Sequence, residues 1–187
     1  MSISHRPRLG LGSLFLCLSA WLPSPGMAIE DSPPMPFVER APWKEQGIEL
    51  PAYPDGEHFV GVPMQVGDSN MEMFVDEPSL NIGDDGVVRY VLMLRSPTGT
   101  ENLFYEGIRC STQEWRSYAY GSSAGSWQEL GETPWDVISD RGVERYRLEL
   151  YRHYLCDPKV GPRLRKEIFR RMRYGLPSDE SMGIKIN

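Results

Sequence analysis

The chain has 187 residues, 20 basic and 26 acidic side chains and a formal net charge of −6, with 40% apolar residues. These values fit a globular protein of about one domain. They argue against general nucleic-acid binding, which relies on net positive charge to displace counterions. Three cysteines and three histidines leave no room for a zinc ribbon or a multi-histidine centre, so neither a metal nor a cofactor is expected.

Residues 1–28 read as a cleavable signal peptide. A basic start (His5-Arg6-Pro7-Arg8) precedes an apolar run from Leu9 to Leu22, and small residues, Gly26 and Ala28, stand at −3 and −1 of a cut after Ala28. The run is shorter than the ~20 residues that span a bilayer. Leu16, not a small residue, precedes Cys17, so no lipid anchor is expected. The mature chain is therefore expected in the periplasm, with no transmembrane segment and a net charge of −8.

Residues 29–58 hold six prolines, which preclude a long helix and predict an extended leader. Trp43, Ile48, Leu50 and Tyr53 offer points at which it can be tacked onto a domain. The domain itself is expected over 59–158. Strands are predicted over 59–66, with Pro63 marking an edge or a bulge, and over 71–75. The turn Asn81-Ile82-Gly83-Asp84-Asp85-Gly86 follows. Residues 87–95 then alternate clearly: Val88, Tyr90, Leu92 and Leu94 on one face; Val87, Arg89, Val91, Met93 and Arg95 on the other. Ser96-Pro97-Thr98-Gly99 turns the chain into strands over 103–110, 115–120 and 127–130. Runs of this length joined by tight turns predict an antiparallel meander.

The last third reads as helical. Val143, Tyr146, Leu150 and Tyr154 form a stripe widened by Leu148, Tyr151 and Leu155, and Asp157-Pro158 ends it. Leu164, Ile168, Phe169 and Met172 repeat at helical spacing before Gly175 and Pro177, giving a basic amphipathic helix and polar tail over 159–187. The fold class is thus α+β: an antiparallel sheet of five or six strands, one or two C-terminal helices and one disulfide. Removal of the signal leaves Cys110 and Cys156, and an oxidising compartment favours joining them. Two buried thiols or a redox pair are the alternatives, though the Cys-x-x-Cys spacing of redox pairs is missing.

Charge is unevenly spread. Residues 29–140 carry a net −14 and residues 141–173 a net +7. A basic amphipathic helix can lie on anionic lipid or meet an acidic partner. The plainer expectation is that it packs on the acidic sheet with its surplus charge solvated.

Gly121-Ser122-Ser123-Ala124-Gly125 matches a nucleophile-elbow pattern, with Asp136 or Asp140 and then His153 downstream. The elbow needs a strand running into a helix, and here strands flank it on both sides, which predicts a hairpin tip. Glu106 falls among Phe104 and Ile108 on one strand face, so if buried it requires a partner. With Tyr105 and Arg109 it forms one candidate binding cluster; Arg165, Arg170 and Arg173 form the other.

Read in order, Pro42-Trp43-Lys44-Glu45, Leu50-Pro51-Ala52-Tyr53-Pro54, Phe74-Val75-Asp76, Asp85-Gly86-Val87-Val88-Arg89-Tyr90, Arg95-Ser96-Pro97, Tyr105-Glu106-Gly107-Ile108-Arg109-Cys110, Tyr118-Ala119-Tyr120-Gly121 and Tyr154-Leu155-Cys156 resemble the cryptic neisserial protein-like family. The resemblance covers roughly residues 40–157. It implies an exported envelope protein of a proteobacterium, a family of uncharacterised function, and supplies no catalytic residues. The basic segment 159–173 falls largely beyond it.

Three functional expectations follow. One is a non-enzymatic periplasmic binding or envelope-assembly factor, with an envelope protein or an anionic surface as partner. Another is a small periplasmic hydrolase acting on cell-wall or lipid material, with Glu106, Arg109 or His153 in a cleft. A peripheral anionic-lipid binder, through the basic C-terminal helix, is a third.

Overall fold

The computed structural model describes residues 41–64 and 70–177. The signal segment, the leader up to residue 40, the end of the predicted 59–66 strand (residues 65–66) and the tail from residue 178 lie outside them. The meander follows from the alternating runs: β1 (Phe59–Val62), β2 (Glu72–Asp76), β3 (Asn81–Ile82), β4 (Val87–Arg95), β5 (Glu101–Arg109), β6 (Glu114–Gly121), β7 (Trp127–Glu129) and β8 (Asp136–Val137). The main sheet runs β1-β2-β4-β5-β6-β7, all antiparallel, with β3 also paired to β4 and β8 to β6. The α+β class, the two C-terminal helices and the disulfide hold; six strands form the main path of the sheet, within the five or six expected, and the short β3 and β8 pair beside it.

The segment predicted as one helix is a composite. A 3-10 turn, Val143–Arg145, leads into α1 (Tyr146–Glu149), which widens to π-helical geometry over Leu150–Leu155. Its end is fastened from two sides. Arg163 N–H donates to Leu155 O at 2.9 Å, and the Arg171 guanidinium donates to His153 O at 3.1 Å. Orphaned carbonyls at a helix end require such donors. A small hairpin follows, β9 (Cys156–Asp157) with β10 (Gly161–Pro162), and then α2 (Arg165–Tyr174).

The principal core lies between one sheet face and these helices. Val88, Tyr90, Leu92 and Ile108 meet Leu148, Leu150, Tyr154, Leu155, Ile168, Phe169 and Met172. α2 thus shares its core with the sheet, and burial of Phe169 alone contributes about 1.5–3 kcal/mol. Burial also pushes the Tyr154 hydroxyl up to about 12, so it stays protonated and donates to Pro63 O.

The second sheet face is covered as well. Val87, Arg89, Val91 and Met93 are buried along with their neighbours, so β4 is enclosed on both sides up to Leu94. The cover is the leader. Residues 41–54 run extended across the far face, where Leu50 joins Val91, Tyr105, Tyr118 and Trp127 in a second, smaller core.

Candidate functional site

The second face collects cations. Alternation places Arg89 on it from β4 and Arg109 from β5, while β6 adds Arg116 and Tyr118. Buried guanidinium groups need anionic partners, and the leader delivers one. Glu45 accepts from Arg89 at 3.2 Å and from the Tyr118 hydroxyl at 2.7 Å through one oxygen, and from Arg116 at 2.7 Å and the Trp135 indole at 3.2 Å through the other. Asp85, from the turn before β4, holds Arg89 at 2.7 Å and accepts from the Gln46 backbone N–H at 2.9 Å. Burial opposes ionisation of Asp85, but the Arg89 hydrogen bond and two backbone donors outweigh it and hold the carboxyl below its ordinary range. Trp43 lies over the Arg109 guanidinium, 3.8 Å from its ring centroid, and donates to Asp85 O.

Two features of the strands make this geometry accessible. The β5–β6 register shifts between Tyr105 and Glu106, pairing Tyr105 with Ala119 but Glu106 with Ser117. Tyr118 is the extra residue of that bulge. Its ring lies over Gly107, where an added Cβ would sit 2.4 Å from the hydroxyl oxygen and 3.0 Å from ring carbons. Gly107 therefore leaves the path by which Tyr118 reaches Glu45. Replacement of Glu45 by Ala should cost about 1–3 kcal/mol by urea unfolding, because two guanidinium groups, a phenol and an indole lose one shared acceptor. A change below about 0.5 kcal/mol would show the leader to be loosely attached.

The first face holds one buried ion pair. Glu106 is 0% exposed, and Arg147 grips it with two hydrogen bonds, Nε to Oε2 at 3.1 Å and a terminal nitrogen to Oε1 at 2.6 Å. The guanidinium is sandwiched near Trp115, 3.4 Å from the centroid, and Tyr146, at 4.7 Å. Burial, reinforced by the Glu106 charge, raises both Tyr90 and Tyr146 far above neutrality. The partner required by Glu106 is therefore supplied by the helix.

The candidate cluster Tyr105, Glu106 and Arg109 is divided by the sheet. Tyr105 and Arg109 belong to the second face: the Tyr105 ring packs against Tyr118 at 5.2 Å, and Arg109 pairs with Glu114 at 3.3 Å. Glu106 belongs to the first. One cleft cannot hold all three. The glycine-serine pattern forms the β6–β7 hairpin tip, closed by Ser122 N–H to Ser126 O at 2.8 Å, and His153 pairs with Glu149 along its own helix.

The other candidate group is partly assembled. Arg165, Phe169 and Arg173 recur every four residues along α2, and the row faces Glu77 in the turn after β2. Arg165 donates to Glu77 O at 2.7 Å, and Arg173 pairs with the Glu77 carboxylate. Together with Leu164 and Lys166 they line an open cleft of about 550 Å³. Of the three cations at this cleft, Arg173 takes the Glu77 carboxylate and Arg165 the Glu77 backbone carbonyl. Leu164 and Tyr174, at the two ends of the helix, are 66% and 82% exposed. Arg170 points elsewhere and is held by Glu167, whose carboxyl is lowered to about 2 by its hydrogen bonds from Arg170 and Arg171. Among the described residues, no helix is long and apolar enough to cross a membrane.

The model of one protein family, described as the CNP1-like family, matches residues 38–173. The match agrees with the resemblance read from the sequence and extends it: the basic segment 159–173 lies within the family, consistent with its place in the core. No curated protein and no solved structure matches.

Proposed function

The chain belongs to the CNP1-like family, and from that premise we propose that it is an exported envelope protein that works by binding rather than by catalysis, with the α2 cleft as its contact surface. One observation carries this reading. The charged residues on the sheet faces are enclosed within the fold, whereas Arg165, Lys166 and Arg173 open onto a cleft where Glu77 is the one lining carboxylate and exposed Leu164 forms the border. Cations beside an exposed apolar side chain suit an acidic partner protein, because the apolar contact supplies affinity and the charge steers approach. The signal pattern of residues 1–28 and the oxidised cysteines support export.

The test is made in cells. Fractionation should find a mature chain beginning at Ile29 in the periplasm. A photo-crosslinker replacing Leu164 should capture an acidic envelope protein, and the capture should be lost in the Arg165→Glu/Arg173→Glu variant. Retention in the cytoplasm would overturn the export reading. Crosslinking that survives charge reversal would overturn the assignment of the cleft. Co-sedimentation with vesicles containing anionic phospholipid, abolished by high salt, would identify a lipid surface as the ligand instead.

A further inference from the structure

A second cavity, of about 330 Å³, lies between α2 and the β1–β2 edge of the sheet. Four methionines line it: Met64, Met71, Met73 and Met172. The antiparallel register explains how they meet. Val62 pairs with Met73, so Met64 and Met71 stand just beyond the paired ends of β1 and β2. Met71 and Met73 are two apart and share a face. The chain folds tightly beside them, with Met64 N–H donating to Val62 O at 2.8 Å. Met172 closes the cavity from α2. Met73 and Met172 are buried, whereas Met64 and Met71 are partly exposed.

We infer that this cavity is a binding site for a soft monovalent cation, Cu(I) or its redox-inert counterpart Ag(I), held by the thioether sulfurs of these four residues. Thioethers select Cu(I) among biological metals because both partners are soft and polarisable. The three rotatable bonds of methionine allow several sulfurs to converge on one ion. Among the described residues thiolates are not in competition, since Cys110 and Cys156 are joined. Among the described residues no histidine lines the cavity, which disfavours the borderline ions Zn(II) and Cu(II). This assignment is independent of the α2 cleft.

The test uses the purified protein carrying 13C-methyl methionine. On addition of Ag(I), and of Cu(I) supplied as its acetonitrile complex, the methyl resonances of Met64, Met71, Met73 and Met172 should shift together and saturate at one ion per chain. Zn(II) should leave them in place. The Met71→Leu/Met73→Leu variant should lose binding, and because Met73 is buried, Met64→Leu/Met71→Leu at the rim provides a second variant that spares the core. Leucine keeps the apolar volume, so an apolar ligand would still fit where the ion would not. Methyl resonances unmoved by Ag(I), or leucine variants that bind it as well as the parent, would overturn the assignment.

Discussion

Replacement of Glu106 by Ala should destabilise the protein by about 3–5 kcal/mol, one of the two largest effects of any change considered for it. The reason is the state of what remains. Arg147 would keep its charge with no carboxylate in reach of its two donating nitrogens, beneath Trp115 and beside the fully buried Tyr90. Its other neighbour, Glu144, stands 3.3 Å from the remaining nitrogen, but that carboxylate is half exposed and well solvated. Burial works against the Arg147 charge and Glu106 overcomes it, which is why the guanidinium pKa is raised in the folded protein. Removal of both charges is a different experiment. A Glu106→Leu/Arg147→Met variant leaves no uncompensated ion and should recover most of the loss, since well-packed apolar substitutes for buried pairs are often neutral or stabilising. Equilibrium denaturation of the single and double variants gives both numbers. The same series bears on function: a catalytic carboxylate would lose activity on substitution with little loss of stability, whereas Glu106 should do the reverse. A single variant that loses less than about 1 kcal/mol would undo the structural account.

How far such features can be read from the letters depends on how local their causes are. The alternation in β4 is local, and its strand runs over the residues predicted, Val87–Arg95. That Glu106 needed a partner was legible for the same reason, since it sits between Phe104 and Ile108 on an apolar face. Its partner was not, because Arg147 lies 41 residues away on a helix whose charges read as a solvated face. The Glu45 network was still less accessible. Its donors come from β4, β6 and the segment before β8, and no spacing along the chain relates them. The bulge compounds this by placing the adjacent residues Tyr118 and Ala119 in the same second-face core, which strict alternation forbids. Proline content predicted that the leader is extended, yet composition is silent on where an extended segment lies. Among the described residues no backbone-to-backbone hydrogen bond ties residues 41–54 to a strand. They are fixed by side chains such as Trp43 and Glu45, together with Trp127 donating to Pro51 O at 2.9 Å. The residues that carry the family resemblance are in large part these anchors: Trp43, Glu45, Tyr53, Asp85, Arg89, Arg109 and Tyr118. The motif Tyr-Glu-Gly-Ile-Arg-Cys thereby acquires a physical reading, with each position serving a sheet face, the bulge or the disulfide.

Loss of the Cys110–Cys156 bridge should have an effect of comparable size. The two Cα atoms stand 5.6 Å apart, inside the range a disulfide spans, and the bridge closes a separation of 46 residues. In the chain-entropy model such a loop restricts the unfolded ensemble by about 4 kcal/mol. The loop contains β6, β7, β8 and the 143–155 helix, so reduction frees the far edge of the sheet and its cover together. Both cysteines are buried, and Tyr151 donates to Cys110 O at 3.3 Å beside the bridge. A Cys110→Ala/Cys156→Ala variant should therefore lose about 2–5 kcal/mol and melt roughly 10 °C lower. The same residues report on processing. After unfolding without reductant, a chain cut after Ala28 should show no titratable thiol, whereas the uncut chain should show the single thiol of Cys17. Two thiols in the cut chain would remove the bridge from the account. With it would go the chemical support for the proposed export, because a bridge that contributes several kcal/mol is of use only where it stays oxidised.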